Sequence, residues 1–269
     1  MYVVALVAMS IMLVDLLGKT SPDVLFENID QLFYQLMNGY YQNIVLLQGI
    51  AALITLPLLI LYLRWSKARR AEANIVEQPA DYSPVWMVLV LVFGAIASYA
   101  GNGMVALSGL NQVDDEYDQI AELIYQGNIV LEIMSLGVLT PIVEELIFRG
   151  LMYTQMTEYM KKSRAVIMAS VLFGFYHGNL LQAIFATALG LLMIYVYERF
   201  HTLVAPILFH IGANVFGILM TETEIFGFLF GSDEIFFTSV VVSSLLIIGV
   251  VWLIERRAQK NQIVENGEV

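Results

Sequence analysis

Long apolar runs separated by short polar segments dominate the chain. A membrane-spanning helix needs about 20 mostly apolar residues, and eight runs approach that length: 1–17, 43–63, 84–107, 127–148, 165–178, 180–198, 202–220 and 236–254. Only the break at His177-Gly178-Asn179 separates the short fifth run from the sixth, so seven helices is the alternative. The runs are continuous rather than alternating, which excludes a transmembrane barrel of strands. The pattern predicts an all-α fold, a polytopic transmembrane bundle of about eight helices.

The polar segments indicate how the chain is organised around these runs. Apolar residues at roughly helical spacing over 22–42 predict a helix lying on the outer membrane surface. Residues 65–83 are predicted to be a polar linker, and 258–269 a disordered, polar cytoplasmic tail. The first run has no basic segment and no clear cleavage site, so we interpret it as a retained helix. One transmembrane domain over 1–257 is the resulting prediction.

Composition supports a membrane protein and excludes several function classes. The chain is 59% hydrophobic and 14% charged, whereas soluble domains carry about 25% charged residues. It has no cysteine, which excludes a disulfide framework, a thiolate nucleophile and a Cys-ligated metal. The net charge of -11 and the absence of a basic surface exclude a nucleic-acid partner. The expected surroundings are the lipid bilayer.

The basic residues predict the orientation of the bundle. If the N-terminus is inside, 12 of the 13 Lys and Arg residues fall in inner segments. Lys19 is the exception, and the inner residues are Arg64, Lys67, Arg69, Arg70, Arg149, Lys161, Lys162, Arg164, Arg199, Arg256, Arg257 and Lys260. Acidic residues concentrate in the outer segments 108–126 and 221–235. Because cytoplasmic loops carry excess Lys and Arg, we predict two cytoplasmic termini. The expected location is that of an integral protein of a bacterial cell membrane.

Paired acids stand within the fourth run, where ionisable side chains are costly and mark function by default. Glu145 and Arg149 are four residues apart, so they lie on one helix face and can pair. Glu144 points about 100° away and is free to face a cavity. Pro141 predicts a kink just before the acids. The alternative interpretation is a paired cluster where the helix reaches the lipid headgroups.

Two further polar groups follow at the same helical spacing. Phe173 and His177 share a face of one helix, and His210 and Asn214 share a face of a later one. An imidazole beside a carboxamide suits binding of an oxyanion or of a metal. The alternative for each is an interhelical hydrogen bond that only fixes packing. Together with the acids, these groups predict a water-activating hydrolytic site inside the bilayer.

The three motifs together resemble those of the CPBP family, which includes the type II CAAX prenyl endopeptidases and bacteriocin-processing or self-immunity relatives. Glu-Glu-x-x-x-Arg, Phe-x-x-x-His and His-x-x-x-Asn occur in this order, within about 127–220. The resemblance implies an intramembrane endopeptidase whose site opens toward the cytoplasm and whose substrate is a membrane-associated or lipidated peptide or protein. It does not indicate the substrate's identity or the oligomeric state.

The resemblance also implies a role for each residue. Glu144 would be the general base and share a water with His177, while His210 and Asn214 would stabilise the oxyanion. The Glu145, Arg149 and Phe173 side chains would support the site. Zinc stays open as a cofactor: Glu144, His177 and His210 could form a catalytic shell, although the His-Glu-x-x-His spacing is absent. Water activation without a metal is the interpretation that the sequence favours.

Two non-proteolytic functions are alternatives to the intramembrane endopeptidase. A regulatory or immunity protein could use the same polar core only to fix helix packing while binding another membrane protein. A transporter could use Glu and His residues as a proton relay, but the sequence contains no inverted repeat. Turnover of a peptide substrate separates the first function from both others.

Overall fold

The computed structural model describes residues 2–19, 29–75, 78–109, 127–178 and 180–265. Within these ranges the chain is helical and contains no strand, so the predicted all-α class is confirmed. The principal helices are α1 (Tyr2–Lys19), α2 (Ile29–Gln42), α3 (Ile44–Glu72), α4 (Pro84–Ser108), a broken helix α5 (129–159), α6 (Lys162–Tyr176), α7 (Leu180–Phe200), α8 (Val204–Glu222) and α9 (Asp233–Glu265). A 3₁₀ turn, Glu224–Phe230, joins α8 to α9.

The number of membrane spans differs from the predicted eight. In the described residues, five helices are long and apolar enough to cross a bilayer: α3, α4, α7, α8 and the 28-residue part of α9 from Asp233 to Lys260. Three of the eight predicted runs are not among these five: 1–17, 127–148 and 165–178. For the last two the reason is that α5 is interrupted and α6 has only 15 residues. Run length alone therefore overcounted the long spans, although a membrane-spanning helical bundle fits the structure.

Several predicted boundaries were wrong because helices continue into polar sequence. Helix α3 extends to Glu72, well into the predicted linker 65–83. Helix α9 extends to Glu265, so the predicted disordered tail is helical over 258–265. Amphipathic solvated turns prolong a helix whose apolar part is already formed. The break after α6 was placed correctly, since Gly178 has φ of +76°, a left-handed conformation that ends helices.

Wide turns interrupt α5 on both sides of the acidic pair. The segments Ile133–Leu139 and Leu146–Tyr153 are π-helical and flank the α-helical segment Thr140–Glu145. Pro141 has no backbone N–H, so one turn cannot close with a normal hydrogen bond. π turns within α-helices are frequent at functional sites. The acids thus stand on a short helical segment between two distorted turns.

Helices α4 and α8 pack backbone against backbone. A Cβ atom added at Gly94 would lie 1.8 Å from the Phe209 carbonyl oxygen, and one added at Gly212 would lie 2.0 Å from that of Leu91. Only glycine allows this separation. The Phe93 and Phe209 rings meet edge to face at the contact, with centroids 5.1 Å apart. This packing fixes α8, the helix that carries His210 and Asn214.

Candidate active site

Glu145 and Arg149 form a buried ion pair on α5. Arg149 Nη1 donates a hydrogen bond to Glu145 Oε1 over 2.8 Å, and the two residues are 0% and 1% exposed. Arg149 Nη2 also donates to the Gly190 carbonyl oxygen on α7, 3.1 Å away. The guanidinium lies over the Phe173 ring of α6, 4.5 Å from its centroid. One arginine therefore ties three helices together beside the acids.

His210 lies between the two acids. Its Nδ1 is 2.9 Å from Glu145 Oε1, and its Nε2 is 3.7 Å from Glu144 Oε2. A carboxylate oxygen only accepts, so Nδ1 carries the hydrogen and Nε2 is directed toward Glu144. The same Glu145 oxygen thus orients both His210 and Arg149. Arg149 bonds to Glu145 and not to Glu144, as the 100° offset between the two acids predicted.

His177 stands at the end of α6 with one ring nitrogen committed. Its Nδ1 is 2.9 Å from the Phe173 carbonyl oxygen, which can only accept, so the neutral ring carries its hydrogen there. The Nε2 atom is then the acceptor that remains. The Phe173 ring makes edge contacts with both imidazoles, at 5.0 Å from His177 and 5.6 Å from His210. Phe173 therefore acts as the spacer between the two histidines.

Asn214 hydrogen-bonds to the distorted part of α5. Its Nδ2 donates to the Leu136 carbonyl oxygen over 3.0 Å. That carbonyl lacks its usual helical donors, because Thr140 N–H bonds to Ser135 and Pro141 has no N–H. The carboxamide satisfies a backbone group that the proline leaves open. The second Nδ2 hydrogen is not used in this bond.

A cavity of about 400 Å³ lies beside these groups. Its lining includes Phe173, His177, His210 and Asn214, together with residues of α4, α5 and α7. A second cavity, of about 70 Å³, reaches Glu144 from the other side. Since a water occupies about 30 Å³ in the liquid, the smaller space suits one or two waters. His210 lines the larger cavity and Glu144 the smaller one.

The smaller cavity contains side chains that sequence reasoning missed. Gln48 and Thr55 of α3 and Thr140 of α5 line it together with Glu144. Gln48 and Thr55 are seven residues apart, two helical turns, and are polar within an otherwise apolar run. Two polar residues at that spacing in an apolar run were the sequence signal that could have predicted a polar face on α3. The N-terminal half therefore contributes polar atoms to the surroundings of the acids.

Comparison with known proteins identifies the segment that contains all three motifs. Residues 126–216 match the family described as "Type II CAAX prenyl endopeptidase Rce1-like". This segment, about a third of the chain, is similar to the CPBP family, which includes the type II CAAX prenyl endopeptidases. This confirms the resemblance that the motifs indicate, and the matched range agrees with the predicted core at about 127–220.

A curated relative of the same kind was found at low identity. It is described as "Putative membrane peptidase YdiL" of Bacillus subtilis (strain 168), and is 27% identical over 112 residues. The match covers 42% of this chain and 45% of the relative, so the compared region spans about half of either protein. No solved structure matches the chain significantly. The similarity to the CPBP family thus lies in the core that carries the site.

The described side chains do not form a zinc site of three grouped ligands. In the described part of the chain, no group of three or more His, Asp or Glu side chains is arranged to hold a metal. A catalytic zinc needs three protein ligands at about 2.0–2.2 Å, but His210 Nδ1 is engaged by Glu145. Nε2 would be the atom of His210 left to bind a metal, and in this arrangement Glu144, His177 and His210 are not grouped as three ligands.

Proposed function

We propose that this protein is an intramembrane endopeptidase that hydrolyses a peptide bond of a membrane-associated peptide or protein with water as nucleophile. The position of His210 is the main support for this proposal. Its Nδ1 lies 2.9 Å from Glu145 Oε1 and its Nε2 lies 3.7 Å from Glu144 Oε2. Its ring also lines the 400 Å³ cavity that contains His177 and Asn214. Similarity to a family of peptidases supports the same activity.

In the proposed first step, Glu144 acts as the general base. It takes one proton from a water whose other hydrogen is bonded to His177 Nε2. The hydroxide oxygen forms a bond to the carbonyl carbon, and the carbonyl electron pair moves to oxygen. A positioned base of this kind contributes about 10²–10⁴-fold to the rate.

In the proposed second step, His210 and Asn214 stabilise the negative oxygen. Glu145 accepts the Nδ1 hydrogen of His210, which stabilises the imidazolium form whose Nε2–H can donate to an oxyanion. Asn214 donates with the Nδ2 hydrogen that Leu136 does not use. Collapse of the intermediate breaks the C–N bond, and Glu144 returns its proton to the leaving amine. Preorganised donors of this kind are usually the largest catalytic contribution.

Substitution of the proposed base tests the function. We expect Glu144→Gln to abolish cleavage, because it removes the proton acceptor while preserving shape and hydrogen bonding. Membranes that contain the parent or the variant are compared by mass spectrometry of newly formed peptide ends. Glu158→Gln is the matched control, since Glu158 pairs with Arg70 away from both site cavities.

The comparison of the parent with Glu144→Gln also separates proteolysis from a purely structural role. The contacts of Arg149 and Asn214 would serve a non-enzymatic membrane protein equally well, but Glu144 forms no ion pair with Arg149. Peptide ends that are the same in parent and Glu144→Gln membranes would contradict the proposal and favour a regulatory protein.

A further inference from the structure

Two spanning helices carry the same sequence pattern near their C-terminal ends. The pattern Leu-Leu-Ile-(Leu/Ile)-x-x-x-Trp-x-x-x-Arg-Arg-Ala occurs over 58–71 in α3 and again over 245–258 in α9. Both helices are among the five that are long and apolar enough to cross a bilayer. Each apolar run therefore ends in a tryptophan, and a pair of arginines follows one helical turn later.

The two arginines of the pair on α9 lie in different surroundings. Arg256 is exposed, and its guanidinium lies over the Trp252 ring, 4.0 Å from the centroid. Its neighbour Arg257 forms an ion pair with Asp81, just before α4. The first arginine therefore faces outward on the tryptophan, whereas the second ties α9 to the rest of the bundle.

The pair on α3 is divided in the same way. Arg69 is exposed and lies over the Trp65 ring, 5.5 Å from its centroid. Arg70 forms an ion pair with Glu158 at the end of α5. Arg69 Nη2 is also 3.8 Å from Glu158 Oε2, so the outward arginine of α3 is partly neutralised. The outward arginine of α9 has no ion pair in the described part of the chain.

An exposed apolar stripe leads up to each outward arginine. The α9 stripe consists of Leu245, Ile248, Trp252, Arg256 and Lys260, which lie on one helix face and are all exposed. The α3 stripe has the same spacing and consists of Leu58, Leu61, Trp65 and Arg69. From Leu245 to Arg256 the helix rises about 16 Å, roughly half of a hydrocarbon core about 30 Å thick. Each stripe therefore has the length of a phospholipid in one leaflet.

A guanidinium that is stacked on a ring can still bind a phosphate. The ring contacts the face of the planar group, while the N–H donors point outward from its edge, in the geometry that matches phosphate oxygens. Tryptophan side chains prefer the headgroup level of a bilayer. Trp252 therefore holds the donors of Arg256 at the depth where the lipid phosphates lie.

We propose that the α9 stripe and the α3 stripe each bind an anionic phospholipid, with its phosphate on the outward arginine and its acyl chains along the apolar residues. The charge selects the headgroup, because Arg256 and Lys260 bring two positive charges to the α9 stripe and neither has an ion pair with a described residue. Clusters of Lys and Arg at the end of a spanning helix attract anionic lipids. Neither stripe lines the two site cavities, so the inference does not depend on the proposed endopeptidase function.

Tryptophan fluorescence measures which lipid lies on the α9 stripe. The chain has three tryptophans, so Trp65→Phe combined with Trp86→Phe leaves Trp252 as the only one. The full-length protein is placed in bilayers of equal parts phosphatidylcholine and phosphatidylglycerol, with bromine on the acyl chains of one lipid or of the other. Bromine quenches a ring only at short range, so the two quenching levels give the lipid preference at Trp252.

We expect phosphatidylglycerol to be preferred at Trp252 at least about fivefold, the factor that one Lys or Arg contributes near an anionic surface. Arg256→Gln should lower the preference by about that factor. Arg164→Gln is the matched control and should leave the preference unchanged. It removes the same charge from an exposed arginine in the first turn of α6, away from the stripe.

Three outcomes would overturn the proposal. Equal quenching by the two lipids would show that the α9 stripe does not select an anionic headgroup. A preference that survives Arg256→Gln, or that falls equally with Arg164→Gln, would show that only the total charge of the protein attracts the lipid. Absence of quenching by either lipid would show that protein, such as a second copy of the chain, covers Trp252.

A second measurement keeps all three tryptophans, so it does not depend on folding of the Trp86→Phe protein. Native mass spectrometry of the purified full-length chain counts the phosphatidylglycerol molecules that stay bound in detergent. The double variant Arg69→Gln with Arg256→Gln should retain at least about fivefold less than the parent. The charge-matched double variant Lys161→Gln with Arg164→Gln should retain as much as the parent. Equal retention by the parent and the Arg69→Gln with Arg256→Gln variant would contradict the assignment of both stripes.

Discussion

A single carboxylate oxygen organises the centre of this molecule. Glu145 Oε1 accepts from both Arg149 and His210, at 2.8 Å and 2.9 Å. The cationic partner on its own helix makes the buried acid tolerable, and the imidazole on α8 extends the network. Because Glu145 holds both Arg149 and His210, we expect it to stabilise the fold even though it lies next to the proposed base Glu144. The adjacent acids should therefore differ sharply when each is neutralised.

Glu145→Gln should destabilise the protein by about 3–5 kcal/mol, because Arg149 would keep its charge without a counter-ion in a buried site. Thermal unfolding in detergent measures the change. Glu144→Gln is the control and should unfold near the parent temperature. Equal unfolding temperatures for the parent and Glu145→Gln would disprove the structural assignment.

Removal of divalent metal tests the cofactor at the same scale. Because the described acids and histidines do not form a three-ligand group, we expect activity to survive a strong chelator. Metal analysis of the purified protein should then find far less than one zinc per chain. Activity that vanishes on chelation and returns with zinc would establish the His₂Glu alternative, and both His177→Ala and His210→Ala should then lose the metal.

At the scale of elements, the distorted helix α5 depends on its neighbour α8. Pro141 leaves the Leu136 carbonyl without a helical donor, and Asn214 supplies one over 3.0 Å. The hydrogen bond from Asn214 to the carbonyl that Pro141 leaves open therefore links the segment Thr140–Glu145 to α8. The packing role of Asn214 and its proposed oxyanion binding can be separated by substitution.

Asn214→Ala should lower turnover by about 10²–10³, as loss of an oxyanion donor does. It should also cost about 1–3 kcal/mol of stability, because a buried carbonyl loses its partner. In the double variant Pro141→Ala with Asn214→Ala, the new N–H should recover stability but not turnover. Kinetics and thermal unfolding of the four proteins check this. Recovery of turnover in the double variant would mean that Asn214 only supports packing.

How far the sequence could predict these elements depends on the range of the interactions involved. Spacing of four residues was enough to pair Glu145 with Arg149, because both lie on one helix. The closeness of His210 to Glu144 depends on how α5 and α8 cross, which no local pattern contains. The π turns in α5 were likewise invisible, apart from the kink expected at Pro141. Gln48 was missed because Glu144, which lines the same small cavity, lies almost a hundred residues further along the chain.

For the whole molecule, orientation is the property with the widest consequences. The basic residues predict both termini inside, and the structure places Lys162, Arg199 and Arg257 around one cavity. The membrane-spanning class and the family core could be recognised from sequence. The number of long spans could not, because apolar runs do not reveal where a helix is interrupted.

Reporter fusions test the predicted orientation. A fusion after Thr223 should be active outside, and fusions after Arg70 and Lys260 should be active inside, because the Lys and Arg bias sets topology. Paired reporters that work only in the cytoplasm or only beyond the membrane measure each position. An inside signal after Thr223, with an outside signal after Lys260, would require the entire topology to be inverted.

The ion pair within α5 also bears on how the protein is made. During synthesis α5 reaches the membrane before α7 and α8 exist, and a charged residue at a helix centre costs about 2.5–3.5 kcal/mol on insertion scales. Since Glu145 and Arg149 are one helical turn apart, the nascent helix carries its own counter-ion into the lipid. His210 is added later, to a pair already in place. Biogenesis of the site can therefore proceed in chain order, without a step in which either charge waits in the bilayer for a helix not yet synthesised.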